Sequence, residues 1–246
     1  MRYLVLSDLH ANWEALQAVL AHAPTPYDSI LCCGDVVGYG ADPNAVTEWV
    51  RANVAQIVRG NHDKACVGLE DLEVFNPVAR QSVAWTQTVL NQENIEYLRN
   101  LPKGPGGVNG FDLVHGSPLD EDEYLFTEAE VAQVAPYLEQ GISFFGHTHV
   151  QGAFLCHRNG VRRLRTVDLD SDSAVLELEN DVNYMLNPGS VGQPRDGDPR
   201  AAYALYDSDA RLVTFRRAEY DIRTAQQKIL RAGLPDLLAL RLDAGV

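Results

Sequence analysis

Short apolar runs alternate with helical patterns along the first sixty residues of the chain. Residues 12 to 22 carry apolar side chains at helical spacing, and Asn12 stands in position to cap that helix. Asp42-Pro43 is typical of the start of a second helix, because proline suits the first helical position. Three short strands are predicted around these helices, at Tyr3–Leu6, Ser29–Cys33 and Gln56–Arg59. Strands separated by helices favour parallel pairing, so we expect an α/β arrangement.

Strand-like runs dominate the second half of the chain. They lie at Phe111–Val114, Ile142–Phe145, Gln151–Leu155, Arg162–Val167, Ala174–Leu178, Tyr203–Tyr206 and Leu212–Arg216. Helices are predicted at 127–139 and from about 221, and residues 64–102 read as a mainly helical, cap-like insertion. The acidic segment 168–173 lacks the glycine and distal glutamate of a calcium loop, so we interpret it as a solvated hairpin turn. No repeat or long linker interrupts the pattern, which predicts a single domain over 1–246.

Composition and charge narrow the class of protein. A formal net charge of −14, from 34 acidic and 20 basic side chains, argues against general nucleic-acid binding. The amino-terminal apolar run is too short for a signal peptide, and no later run approaches the roughly 18 apolar residues of a membrane span. Cys32 and Cys33 lie in an apolar run and the chain has no CxxC pair, which predicts reduced thiols. We therefore expect a cytoplasmic protein without membrane association; no feature indicates its oligomeric state.

Polar clusters follow five of the apolar runs, and these clusters carry the chemistry. They contain Asp8 and His10, then Asp35, then Asn61 and His62, then His115, and finally His147 and His149. The carboxyl ends of strands line the functional crevice of open α/β sheets, so the clusters are expected to converge. Asp8 and His10 are two residues apart, as are His147 and His149, and an extended backbone would point both members of a pair to one side. Imidazole, carboxylate and amide ligands without thiolate suit Mn, Fe, Zn or Ni better than Ca or Mg.

Several polar residues outside these clusters have simpler interpretations. A single Asp or His after a strand is usually a cap, but five clusters in this order are not explained in that way. His22 is predicted to end a helix, and His157 to lie at the surface beside a turn. Arg195 and Arg200 are interpreted as turn residues in preference to substrate ligands, although arginine is a natural bidentate donor to phosphate. Tyr39 either shapes a substrate pocket or packs in the core, and the sequence leaves both roles open.

The motifs SDLH, GD, GNHD, HGS and GHTH, in this order, resemble the calcineurin-like metallophosphoesterase superfamily. The similarity is greatest to its bacterial and archaeal predicted phosphodiesterases, whose late Asn-Pro-Gly-Ser segment is similar to residues 187–190, and it extends to about residue 217. The resemblance implies a four-layer α-β-β-α sandwich of two mixed β-sheets flanked by helices. Protein serine/threonine phosphatases of the superfamily carry Asp-Arg-Gly after the second motif. This chain has no arginine there, which argues against a protein phosphatase.

The resemblance also implies roles for the clustered residues. One metal ion would be held by Asp8, His10 and His149, the other by Asn61, His115 and His147, with Asp35 bridging the two. A metal-bridging hydroxide would be the nucleophile and His62 the general acid. The two divalent ions are expected to be Mn²⁺, with Fe, Zn or Ni as alternatives. The predicted function is that of a phosphodiesterase acting on a small phosphate ester. One alternative is a phosphomonoesterase of small metabolites. The other is a non-catalytic scaffold of the same fold, and the presence of His62 disfavours this second alternative.

Overall fold

A computed structural model describes residues 1–166 and 173–246, and the strands in these ranges form two mixed sheets of six strands each. The strands are β1 (Arg2–Leu6), β2 (Ser29–Cys32), β3 (Gln56–Ile57), β4 (Gly106–Val108), β5 (Phe111–Leu113), β6 (Ile142–Phe144), β7 (Gly152–His157), β8 (Gly160–Arg165), β9 (Ser173–Glu177), β10 (Asn183–Asn187), β11 (Ala201–Asp207) and β12 (Leu212–Ala218). The first sheet has the order β3-β2-β1-β11-β12-β9, and the second β4-β5-β6-β10-β7-β8.

Helices cover the outer faces of both sheets. They are α1 (Trp13–His22), α2 (Pro43–Asn53), α3 (Asn61–Cys66), α4 (Pro77–Val89), α5 (Gln92–Arg99), α6 (Glu128–Val134), α7 (Ile222–Arg231) and α8 (Asp236–Ala244), with 3-10 turns at Leu72–Val74 and Ala135–Tyr137. Asn12 caps α1 as predicted, because its side-chain oxygen accepts a hydrogen bond from the Ala15 amide. None of the helices that the structure describes is long and apolar enough to cross a membrane.

The hydrophobic core consists of three layers, one between the sheets and one on each outer face. Alternation along β1 produces two of them: Leu4 and Leu6 pack under the helices of the first sheet, while Tyr3 and Val5 face the second sheet. The third layer lies between α6 and the second sheet, where Val131 contributes. The predicted four-layer α-β-β-α sandwich is therefore confirmed.

Parallel pairing brings several strand ends to the same edge of the sandwich. In the first sheet β1 pairs with β2, and β2 with β3, in parallel. In the second sheet β5 pairs with β6, and β6 with β10, in parallel. The loops that follow these strands carry all five of the polar clusters, so the sheet topology is what gathers them.

Some elements differ from the sequence-based prediction. β4 and β10 were not predicted, because β4 reads Gly-Gly-Val and β10 has only three apolar residues between asparagines. The predicted third strand is only two residues long, and Asn61 begins helix α3. The acidic turn predicted at 168–173 lies, except for Ser173, outside the described residues. The cysteines are free thiols, as predicted.

Candidate metal centre

The structure brings the clustered acidic and histidine side chains into two adjoining groups. The donor atoms of each group all lie within 4.8 Å of one another. One group comprises Asp8, His10, Asp35 and His149, and the other comprises Asp35, His115 and His147. Asn61 joins the second group, because its Oδ1 lies 3.2 Å from His115 Nε2. Asp35 belongs to both groups; the assignment of these residues as metal ligands remains a prediction.

Each of the four histidines in these groups uses one ring nitrogen to donate to a backbone carbonyl. These bonds run from His10 Nδ1 to Val37, from His115 Nδ1 to Cys33, from His149 Nδ1 to Gln193 and from His147 Nε2 to Asp122, at 2.6–3.1 Å. A carbonyl can only accept, so in a neutral ring each bond assigns the tautomer and leaves the other nitrogen with a lone pair directed elsewhere. Histidines that ligate metals characteristically donate their second nitrogen in this way.

The nitrogens left over face each other or other acceptors. His10 Nε2 lies 3.0 Å from His149 Nε2, although both rings already donate through Nδ1. Two lone pairs at this distance repel unless a cation lies beside them. Asp8 Oδ2 is also buried without a hydrogen-bond partner, and such buried acceptors are rare in proteins unless an ion or water satisfies them. The donor set therefore fits divalent metal ions.

Burial and charge perturb the titration of this cluster in the metal-free protein. Burial raises the pKa of Asp8 to about 7 and lowers the pKa of His147 to about 3. Burial likewise holds the pKa of His10 well below its usual value. His115 is different: burial opposes its charged form, but the Asp35 carboxylate raises its pKa to about 10. Reciprocally, and against the effect of burial, His115 holds the pKa of Asp35 well below its usual value.

The backbone at the proposed ligands is left-handed, which corrects the expectation of an extended backbone. The φ angles are +52° at Asp8, +46° at His10, +64° at His147 and +59° at His149. Non-glycine residues seldom adopt such angles, and those that do cluster at functional sites. Each pair converges on the cluster because the chain turns sharply at the end of its strand, and not because alternate residues of an extended strand share a side.

Asp63 has an organising role that the sequence did not reveal. Its carboxylate is fully buried and accepts four backbone N–H bonds, from Asp35 and Gly60 at Oδ2 and from Val36 and Val37 at Oδ1, at 2.8–3.2 Å. The carboxylate thus ties the loop that carries Asp35 to the start of α3. The available signal was its place in the GNHD motif.

Comparison with known proteins agrees with this geometry. A family model, the calcineurin-like phosphoesterase superfamily domain, matches residues 1–211. The chain belongs to that superfamily. It is 36% identical over 253 residues to an uncharacterized protein of Methanocaldococcus jannaschii, covering 98% of this chain and 97% of the other. It is 40% identical to a metallophosphoesterase from Sphaerobacter thermophilus of known structure, covering 100% and 99% of the two chains with a TM-score of 0.87. A hypothetical protein of Pyrococcus horikoshii OT3, 19% identical with a TM-score of 0.78 over 100% and 98% of the chains, shares the fold.

The late Asn-Pro-Gly-Ser segment of this phosphoesterase supports the centre from behind. Asn187 Nδ2 donates to the Gly146 carbonyl at 2.9 Å, beside the last histidine pair. Ser190 Oγ donates to the Asp8 carbonyl at 2.8 Å. Gln193, three residues after the segment, supplies the carbonyl that holds the His149 ring, and its own amide donates to Ser190 Oγ at 2.8 Å. The segment therefore holds residues of the first and last clusters in their relative positions.

A cleft of about 370 Å³ opens beside the candidate metal centre of the phosphoesterase, on the side of His62. Its walls carry the rings of Tyr39, Phe75, Tyr124 and His147. The Tyr124 ring stacks on His147 with centroids 3.8 Å apart, and the Tyr39 ring lies 4.3 Å from His62. Tyr39 is therefore both packed and part of the cleft wall, and Phe75 comes from the predicted cap-like region.

His62 lies at the inner end of this cleft. It is 3% exposed, and its Nδ1 has no hydrogen-bond partner within the described chain and packs against Gly38. The other ring nitrogen is therefore the one available to a group in the cleft. Burial lowers the pKa of His62 to about 4, although the Asp35 charge opposes the shift.

The two arginines interpreted as turn residues differ in their surroundings. Arg200 pairs with Asp198, with Nη2 and Oδ2 2.7 Å apart. Arg195 instead places its guanidinium over the Tyr39 ring, 5.4 Å from the centroid, at the edge of the site. His22 ends α1 and contacts the Tyr203 hydroxyl, and His157 ends β7 at the surface, so both lie outside the centre as predicted.

Proposed function

We propose that the protein is a phosphodiesterase that depends on two divalent metal ions, with Mn²⁺ as the first choice and Fe, Zn or Ni as alternatives. The observation that carries the proposal is the buried pair of opposed imidazole nitrogens, His10 Nε2 and His149 Nε2, beside two carboxylates. A bound cation would relieve the repulsion between these two lone pairs and satisfy the buried carboxylates. The free thiols, three of them buried, suit a reducing compartment, so we also propose a cytoplasmic location.

The proposed ligand sets follow the two groups in the structure. Asp8, His10 and His149 would hold one ion; Asn61, His115 and His147 would hold the other, and Asp35 would contribute to both. Divalent ions bound there would supply Lewis acidity toward phosphoryl oxygens and activate a water molecule for attack on phosphorus. The carbonyl bonds orient the imidazole rings and, once His115 has lost its extra proton, leave one nitrogen of each ring free to bind a metal ion, which pre-organises the site.

His62 is the proposed general acid. A ring whose pKa is about 4 is almost entirely neutral at neutral pH in the free protein. A phosphate anion beside the ring would raise that pKa, because a nearby negative charge favours the imidazolium. His62 would then deliver its proton to the departing alkoxide or aryloxide within the substrate complex. Such proton transfer typically contributes about 10²- to 10⁴-fold in rate.

The cleft favours a diester over a monoester. A monoester presents a dianionic phosphate, whereas a diester has one negative charge and a second organic group that needs space. The cleft offers about 370 Å³ with ring-bearing walls, and Glu70 and Asp122 bring negative charge to it. Lys64 pairs with both carboxylates, but its single charge does not neutralise two. These features support a monoanionic substrate whose organic group occupies the cleft.

The proposal is tested with metal-stripped protein that is titrated with Mn²⁺. We expect Mn²⁺-dependent hydrolysis of bis(p-nitrophenyl) phosphate and slower hydrolysis of p-nitrophenyl phosphate. His62→Gln should lower turnover by about 10²-fold or more while both equivalents of bound metal remain.

Three other outcomes contradict parts of the proposal. Faster hydrolysis of the monoester would favour a phosphomonoesterase of small metabolites. Loss of bound metal in His62→Gln would make His62 a ligand in place of an acid. No hydrolysis of either ester with any divalent metal would favour the non-catalytic scaffold.

A further inference from the structure

Arg195 combines a positive charge with neutral surroundings at the edge of the metal centre. Its guanidinium contacts the Tyr39 ring, and its Nε and Nη2 donate to the Gln193 side-chain oxygen at 3.3 and 2.9 Å. Within the part of the chain that the structure describes, Arg195 forms no ion pair with a carboxylate. An arginine paired only with a tyrosine and an amide retains most of its capacity to bind an anion.

The neighbouring cations are already paired with carboxylates. Lys64 contacts Asp122 at 2.6 Å, and Arg59 contacts Glu121 at 2.8 Å. Arg200, which lies five residues after Arg195 in the same loop, pairs with Asp198. Arg195 therefore differs from the cations around it in a way that a general surface role does not explain.

Arg195 lies one aromatic ring away from both a proposed metal ligand and the proposed acid. The centroid of the Tyr39 ring is 4.6 Å from the His10 ring and 4.3 Å from the His62 ring, and the Arg195 guanidinium covers the same tyrosine. Arg195 and the two histidines therefore contact the same tyrosine side chain, which places the guanidinium close to the cluster. From there the long arginine side chain can reach a phosphate bound at the metal centre with its charged end.

The loop that carries Arg195 is anchored to the metal centre. The Arg195 amide donates to the His149 carbonyl at 3.2 Å, and His149 Nδ1 donates back to the Gln193 carbonyl at 2.6 Å. Gln193 is 1% exposed, and its Nε2 is buried without a hydrogen-bond partner among the described residues. This corner of the site holds a half-buried cation and an unpaired donor, and both favour a negatively charged ligand.

We propose that Arg195 binds an anionic oxygen of the substrate's phosphoryl group and positions it against the metal centre. The inference rests on the proposed function and adds to it a residue that recognises the phosphate. Tyr39 supports the guanidinium from one side, and Gln193 restrains it from the other.

The test compares Arg195→Gln and Arg195→Lys with Arg200→Gln, which removes a guanidinium from the same loop. Each Mn²⁺-loaded, desalted protein is titrated with inorganic phosphate by calorimetry, its Mn²⁺ content is measured, and kcat and KM are determined for bis(p-nitrophenyl) phosphate. Arg195→Gln should weaken phosphate binding and lower kcat/KM by about 10- to 100-fold, with Mn²⁺ content unchanged. Arg195→Lys should fall between Arg195→Gln and the wild type, because lysine keeps the charge but loses the forked donors. Arg200→Gln should stay within about two-fold.

Two results overturn the inference: phosphate affinity in Arg195→Gln within about two-fold of the wild type, or loss of Mn²⁺ in that variant. If Arg195→Gln does not fold, Arg195→Lys decides by the same criteria. A wild type that hydrolyses neither ester refutes the proposed activity, but the phosphate titrations still decide the role of Arg195. A wild type that binds no phosphate also overturns the inference.

Discussion

Replacing Asp63 by asparagine tests whether one buried carboxylate holds the loops of the site together. The two oxygens of Asp63 accept four backbone N–H bonds at 2.8–3.2 Å, from Asp35, Gly60, Val36 and Val37. Asparagine has the same shape but only one acceptor oxygen, and its NH₂ group can only donate. Whichever way the amide turns, two backbone N–H groups lose their acceptor and face another donor.

The expected loss of stability is large. A hydrogen bond to a charged group contributes about 1.5–3 kcal/mol, so two lost bonds cost about 3–6 kcal/mol. The free energy of unfolding of a natural protein is typically about 5–15 kcal/mol. For a chain of this size, the thermal midpoint should fall by about 6–24 °C. Metal binding should weaken as well, because Asp63 positions the loop of Asp35.

The assay is thermal unfolding followed by circular dichroism, with Mn²⁺ content measured on the same samples. Asp71→Asn is the matched control, since exposed Asp71 caps a 3-10 turn through one hydrogen bond to the Glu73 amide and asparagine caps equally well. The control should unfold within about 2 °C of the wild type. An Asp63→Asn midpoint equally close to the wild type, with full metal content, would refute the reasoning.

Three further predictions address the centre itself. Asp35→Asn should lose at least one equivalent of Mn²⁺ and lower turnover by more than about 100-fold, because the Asp35 carboxylate belongs to both groups of candidate metal ligands. Elemental analysis and initial rates test the prediction, and unchanged metal content and turnover would refute it. Gly38→Ala should lower kcat by about 10- to 100-fold with metal retained, because a Cβ at residue 38 would overlap the His62 ring. The control Gly110→Ala has a similar φ of +92° with open space around it and should leave kcat unchanged. Equal kinetics of the two variants would contradict the proposed role of His62. Mn²⁺ affinity should rise about ten-fold per pH unit for each proton displaced, because His115, with its pKa raised to about 10, must lose a proton before it can bind a metal ion. Chelator competition between about pH 6 and about pH 8 measures the affinity, and an affinity that does not change with pH would refute the prediction.

The features that could be predicted from sequence were those with local signals. An apolar run followed by Asp or His marks a strand end, and five such runs indicated the residues that converge, while the resemblance of the motifs to the superfamily implied the sandwich. β10 was missed because its burial comes from its place between β6 and β7, which a short run of three apolar residues does not reveal. Arg195 and Arg200 read alike in sequence, since the distinguishing feature is the carboxylate that pairs with one and not the other. Asp63 stands inside a recognised motif, but its four amide partners come from two loops that meet only in the fold.

The strained backbone at the proposed ligands is maintained by the fold. A left-handed conformation costs a non-glycine residue roughly 1–2 kcal/mol, and Asp8, His10 and His147 all adopt it. Hydrogen bonds between loops hold these conformations: the Asp8 amide donates to the Gly34 carbonyl at 3.0 Å, the His10 amide to the Asp35 carbonyl at 3.0 Å, and the His147 amide to Asp8 Oδ1 at 3.1 Å. These bonds join protein groups only and require no bound ion. We therefore expect metal binding at the proposed ligands to require little rearrangement of the backbone, with the strain as part of the pre-organisation of the site.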